Sequence, residues 1–211
     1  MLLALHINIL VIFVSLGGYQ LFLQLTRRRM KRFPEGYIKY VQYGIGIPTL
    51  GILTVFLFDP YARGFEFVTL APQVAILGTV IFNFAALMIF WAHVSLGDFW
   101  TGDLGTRSNH HLVESGLYRW IRHPLYANFI LLAVGLFLMT GDWLVGLSAL
   151  AYVTAVAARA WKEEEMLLGR LGRNYASYMQ KTGRFLPRIG YRAAQAEVPL
   201  VPVRIPSKRR V

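Results

Sequence analysis

Apolar residues in this chain fall in blocks of bilayer length, not in the alternating or one-faced patterns of a soluble core. The blocks run from about Leu2 to Leu25, Ile38 to Phe58, Ala71 to Leu96, Pro124 to Thr140, and Trp143 to Trp161. About 20 apolar residues cross a bilayer. A backbone in lipid must also close its own hydrogen bonds. The pattern therefore predicts an all-α integral membrane protein with five transmembrane helices. Thr140-Gly141-Asp142 is only long enough for a tight turn, so the last two helices form a hairpin. Beyond them, Leu167, Leu171, Tyr175 and Tyr178 recur at helical spacing. That stripe predicts an amphipathic C-terminal helix lying on the membrane or under the bundle.

Two polar islands flank the hairpin. One runs from His110 to Tyr126, the other from Arg159 to Glu165. A membrane hairpin returns the chain to the side it left, so both islands are expected at one face. Lys and Arg assign that face. Six lie on or beside the first loop, three on the third, and twelve from Arg159 onward, leaving Arg63 alone on the opposite side. The rich side is cytoplasmic by this rule, with the N-terminus outside and the C-terminus inside.

Composition narrows the function classes. The chain has 211 residues, 55% hydrophobic and 16% charged, so it is too apolar for an ordinary soluble domain. It has no cysteine, which excludes disulfides, thiol catalysis and thiolate metal sites. A net charge of +11 would point to nucleic acid in a soluble protein. Here the membrane topology accounts for it, and no nucleic-acid partner is expected. No basic residue precedes the first block and three arginines follow it, so it reads as a retained anchor, not a signal peptide. The chain divides into a two-helix membrane segment (1–70), a core (71–188) and a basic tail (189–211) expected to be disordered and drawn to anionic lipid.

The islands carry the candidate chemistry. Pro124 suits the first position of a helix, which puts His123 near the N-cap. That helix start would present a positive dipole end to a carboxylate or another polar ligand group. Arg122, His123 and Tyr126 would equally anchor a span at the headgroups. Arg159 and Glu163 lie four apart and share a helix face. An arginine inside the end of a span is costly without a partner, which favours a functional role for Arg159. Three successive carboxylates, Glu163 to Glu165, beside a basic loop suggest a cationic or hydroxyl-bearing ligand. Asn83, His93 and Asn128 read as helix-to-helix hydrogen-bonding residues. His110 and His111 are adjacent and cannot share one helix face, so no metal is assigned.

In this order the segments resemble the isoprenylcysteine carboxyl methyltransferase family, within the integral-membrane methyltransferases that include phospholipid methyltransferases. The matching residues are His111-Leu112-Val113, Ser115-Gly116-Leu117-Tyr118 and Arg122-His123-Pro124-Leu125-Tyr126. After the hairpin come Glu163-Glu164 with Leu167, then Leu171-Gly172 with Tyr175 and Tyr178, then Arg184 and Pro187. The resemblance covers roughly residues 75–188. It implies binding of S-adenosylmethionine without a Rossmann domain. Gly44-Ile45-Gly46 lies inside a span and reads as a packing motif.

Carried over by motif, His110, His111, Leu112, Val113, Tyr118, His123, Pro124, Leu125, Tyr126 and Glu163 would bind the cofactor. Arg159 looks like the family's substrate-side arginine, with Arg122 and Glu164 as supporting residues. Leu171 stands where the family usually has Phe. Without the extra spans of longer eukaryotic members, the chain looks like a short prokaryotic form of an inner-membrane enzyme. The implied reaction is in-line methyl transfer to a lipophilic acceptor entering from the bilayer. A carboxylate acceptor, as in an isoprenylcysteine, needs no general base because it is already ionised at neutral pH. A phospholipid amine or a small thiol is the alternative acceptor. A non-enzymatic scaffold binding anionic lipid is the third reading.

Overall fold

The computed structural model of the chain describes residues 2–26, 31–32, 37–59, 70–97, 105–106 and 112–188. His110, His111 and the 189–211 tail lie outside the described residues. The architecture is helical, with α1 (Leu2–Thr26), α2 (Tyr37–Phe58), α3 (Pro72–Leu96), α4 (Pro124–Thr140), α5 (Trp143–Ala157), α6 (Arg159–Leu171) and α7 (Arg173–Lys181). Two residues after α1 (β1, Lys31–Arg32) pair antiparallel with two residues after α3 (β2, Gly105–Thr106). This pairing brings the segments that follow α1 and α3 to the same end of the bundle.

Among the described residues, four helical stretches are long and apolar enough to cross a membrane: Leu3–Thr26, Tyr37–Phe58, Pro72–Leu96 and Trp143–Leu171. The expected fourth span, Pro124–Thr140, forms a helix with the expected bounds but has only 17 residues. At about 1.5 Å per residue it reaches about 25 Å, short of the ~30 Å hydrocarbon layer. The last candidate span runs through the α5–α6 junction at Ala158, ten residues beyond the expected end at Trp161.

The α4–α5 turn is built as its residues dictate. Gly141 takes a left-handed φ of 66°, a conformation open to glycine. Asp142 then caps α5, its Oδ1 accepting from the Val145 N–H at 2.8 Å. The expected single C-terminal helix is instead two. Gly172, at φ 54°, ends α6, and α7 begins at Arg173. The stripe from Leu167 to Tyr178 is therefore bent.

The core lies where α3 meets α4, with α5 beside α4 and α2 beside α5. Phe82, Ile89, Leu132, Leu136, Met139 and Val145 are buried there, with Ile9 and Phe56 closing it. Small residues let the backbones approach. A Cβ on Gly135 would lie 2.6 Å from the Phe82 nitrogen, and one on Gly46 would lie 2.7 Å from the Tyr152 ring. Gly44 has open space around it, so only Gly46 of that expected packing pair serves packing. Gly135→Leu is expected to cost about 1–3 kcal/mol of stability through overpacking. A lowered melting midpoint in detergent would register it.

The outer faces remain apolar. Leu77, Val80, Phe84 and Leu87 on α3 are exposed, as suits contact with lipid. Among the polar span residues, Asn8 and Asn83 bond each other across α1 and α3 at 3.1 Å. Asn128 instead donates to the Pro124 carbonyl one turn back in its own helix, at 2.8 Å. His93 likewise contacts the Ile89 carbonyl of its own helix, at 2.7 Å.

Candidate functional site

The two polar islands meet. Tyr126, in the first turn of α4, donates its hydroxyl to Glu163 Oε2 of α6 at 3.0 Å. The hairpin α4–α5 makes this possible, because it brings α6 back beside the start of α4. The residue types fix the start of α4. Pro124 opens α4 with no N–H to satisfy, and His123 stands at its N-cap. The His123 side chain does not cap its own helix. It is buried and reaches α6 instead: Nε2 lies 3.2 Å from Glu164 Oε1, and Nδ1 lies 3.6 Å from Glu163 Oε2. Its ring stacks on Tyr126, with centroids 5.5 Å apart.

Glu163 and Glu164 are sequence neighbours with different surroundings. Successive helical residues point about 100° apart. Glu164 turns inward, its side chain 4% exposed, while Glu163 lies sideways at 32%. Glu164 Oε1 accepts from Arg122 Nε at 2.8 Å, and Oε2 accepts from Arg184 Nε at 3.1 Å and Nη2 at 2.6 Å. Arg122 also donates to the main-chain carbonyls of Met179 and Thr182 at the end of α7.

Main-chain bonds extend this junction. The Arg122 N–H donates to the Gly183 carbonyl at 2.8 Å, and the His123 N–H to the Arg184 carbonyl at 3.0 Å. The segment after α7 thus runs alongside the residues just before α4. Arg184 lies over the Trp161 ring, 4.5 Å from its centroid.

Tyr118 sits in a single 3₁₀ turn, Gly116–Arg119, that packs near the end of α3. It is buried, and its carbonyl accepts from the Tyr178 hydroxyl of α7 at 2.6 Å. Burial first, then the nearby Glu163 charge, raises its phenol well above the ordinary value, so it stays protonated. Burial likewise raises Tyr175 and Tyr178. These three phenols can donate hydrogen bonds at neutral pH but cannot act as bases.

The expected residues therefore divide. Tyr126, His123, Glu163 and Tyr118 come together around one junction, with Pro124 and Leu125 in the same helix start. Leu112 and Val113 are half-buried in the segment leading to the 3₁₀ turn. Arg159 opens α6 one turn before Glu163 and is half-buried. Arg184 is the residue whose importance sequence reasoning missed: it figured only as a late motif position, yet it completes the Glu164 cluster. Its signal in the sequence is that place at the close of the motif pattern, after an amphipathic helix.

The model of the isoprenylcysteine carboxyl methyltransferase family matches residues 76–169, which include α4, α5 and Glu163-Glu164. A protein-S-isoprenylcysteine O-methyltransferase of Tribolium castaneum is 33% identical over 87 residues, covering 40% of this chain and 31% of that protein. A protein-S-isoprenylcysteine O-methyltransferase B of Arabidopsis thaliana is 35% identical over 86 residues, covering 38% of this chain and 42% of that protein. The chain thus matches less than half the length of these relatives. The structure of a eukaryotic intramembrane Ras methyltransferase, ICMT, superposes with a TM-score of 0.52 at 22% identity, over 72% of this chain and 54% of the other. That likeness is one of fold.

Proposed function

We propose, from the match of residues 76–169 to the isoprenylcysteine carboxyl methyltransferase family, that the chain is a member of that family and transfers a methyl group from S-adenosylmethionine to a lipophilic carboxylate such as that of an isoprenylcysteine. The observation that carries the reading is the Tyr126–Glu163 contact, which joins the family's two motif segments at one end of the bundle. Residues 71–188 are the methyltransferase core in this reading. The 1–70 segment adds membrane helices, and the 189–211 tail binds anionic lipid. Pro124–Thr140 crosses the membrane as a fifth, short span. The N-terminus faces outward, and the site faces the cytoplasm of a prokaryotic inner membrane.

The residues present fit the cofactor. A half-exposed carboxylate beside stacked aromatic rings offers an acceptor for ribose hydroxyls or an ammonium group, and ring faces for a sulfonium. Glu163 holds those polar groups. Tyr126 and His123 orient the Glu163 carboxylate, and Tyr126 gives the sulfonium side an aromatic face. Tyr118, Pro124 and Leu125 wall the site and exclude water. In this reading His110, His111, Leu112 and Val113 also contribute to the cofactor site. When bound, the cofactor provides an electrophilic methyl group.

Arg159 holds the acceptor carboxylate from the substrate side. The acceptor arrives ionised, so no residue must take a proton. Rate then comes from alignment and from stripping water off the reacting carboxylate. Arg159→Ala is expected to spare cofactor affinity and to lower turnover on carboxylate acceptors by about 10²-fold. Activity on amine acceptors would change little. A large loss of cofactor binding would move Arg159 into the cofactor site instead. The function itself is tested by offering the purified protein lipophilic acids, amines and thiols with radiolabelled methyl donor. Base-labile label on the acids is expected. Label confined to amines or thiols would replace the carboxylate reading, and no label on any acceptor would remove it.

A further inference from the structure

Glu164 has no capacity left for a ligand. An ionised carboxylate offers about four acceptor sites. Arg122 Nε and His123 Nε2 occupy Oε1, and Arg184 Nε and Nη2 occupy Oε2. The side chain is also 4% exposed. Its partners, in contrast, all reach the site or its border. His123 carries one ring nitrogen to Glu164 and turns the other toward Glu163. Its stacking on Tyr126 is fixed by that hold. Arg184 binds Glu164 with its side chain, while its carbonyl accepts the His123 N–H. Arg122 ties the same carboxylate to the end of α7 through the Met179 carbonyl.

Three stretches of chain are therefore joined at one buried carboxylate: the residues that open α4, α6 itself, and the end of α7 with the 182–184 segment that follows it. Resting on the methyltransferase reading, we infer that Glu164 is a positioning residue. Through His123 and Arg184 it fixes the ring and the 182–184 segment beside Glu163, and so sets cofactor affinity without touching the cofactor. The two adjacent glutamates then do different work. Glu163 meets the ligand, and Glu164 holds the parts that shape its site. Arg184 is the accessible handle on this arrangement, because it lies at the outer edge of the cluster against the exposed Trp161.

The test is steady-state kinetics and cofactor binding on Arg184→Gln, Arg184→Lys and Glu164→Gln, with melting midpoints taken in the same detergent. Arg184→Gln leaves Arg122 and His123 on Glu164, so it is the milder change. It is expected to raise KM and Kd for S-adenosylmethionine about tenfold, with kcat at saturation within about twofold of wild type. Arg184→Lys, which keeps the charge but not the two-pronged contact, should recover part of the affinity. Glu164→Gln should shift affinity further in the same direction. If that variant loses the fold, the two Arg184 variants decide.

A fall in kcat at unchanged KM would overturn the inference, and so would wild-type affinity in a folded Arg184→Gln protein. Wild-type protein that binds no S-adenosylmethionine would sink the methyltransferase reading as well. Wild-type protein that binds it, with Arg184→Gln binding equally, would sink this inference alone.

Discussion

Alanine in place of Glu163 is expected to weaken S-adenosylmethionine binding by about ten- to a hundredfold while the bundle stays folded. Hydrogen bonds to a charged group contribute about 1.5–3 kcal/mol, and each 1.4 kcal/mol is a factor of ten. Glu163 is the more exposed of the two neighbouring carboxylates, so its removal strands no buried partner cluster. It leaves the Tyr126 hydroxyl to find water or another acceptor. His123→Ala should move affinity in the same direction, because the ring supports Tyr126 by stacking. Calorimetry on detergent-solubilised protein reads both effects. Unchanged affinity in both variants would remove the proposed cofactor site.

Methionine in place of Arg122 is expected to have the largest effect on stability. The side chain is 9% exposed, and its guanidinium is paired with Glu164 and bonds two main-chain carbonyls near the end of α7. A buried ion pair adds little net stability over a well-packed apolar substitute, since its desolvation cost is high. Removing one partner is a different matter. It leaves charge and carbonyls buried without their donors, at about 3–5 kcal/mol. Arg122→Met should therefore lower the melting midpoint well beyond Gly135→Leu and loosen α7. Greater proteolysis after Lys181 would accompany it. A midpoint equal to wild type would mean that the cluster does not hold the C-terminal segment.

These outcomes separate what the sequence could reveal from what it could not. The helix α4 begins at Pro124 and ends at Thr140, as the sequence predicts, because proline and glycine punctuate it. The hairpin turn follows from Gly141 and Asp142 for the same local reasons. The meeting of Tyr126 with Glu163 was foreseeable because a hairpin in lipid allows few return paths. The different exposure of Glu163 and Glu164 was not legible in the pattern; only the resemblance set them apart, with Glu163 at the cofactor and Glu164 in support. Neighbouring helical residues point about 100° apart, and pattern alone does not say which one faces inward.

The pairing of residues 183–184 with 122–123 was equally hidden. It joins positions about sixty apart in the chain through main-chain groups, which carry no residue signature. The break at Gly172 was open to reading, since glycine admits positive φ, but the spacing of Leu167, Leu171, Tyr175 and Tyr178 masked it. Arg184 escaped because a single arginine after an amphipathic helix has an ordinary explanation at a membrane surface.

A double-mutant cycle on cofactor Kd, with Tyr126→Phe, Glu163→Gln and the pair together, puts the joined motif segments to the most direct test. The wild type should bind S-adenosylmethionine. Both single variants should bind it more weakly, and the pair should lose less than the product of the two losses, with a coupling of about 0.5–3 kcal/mol. Independent, fully multiplying losses would contradict a shared site, and a wild-type chain with no measurable affinity would contradict the whole account.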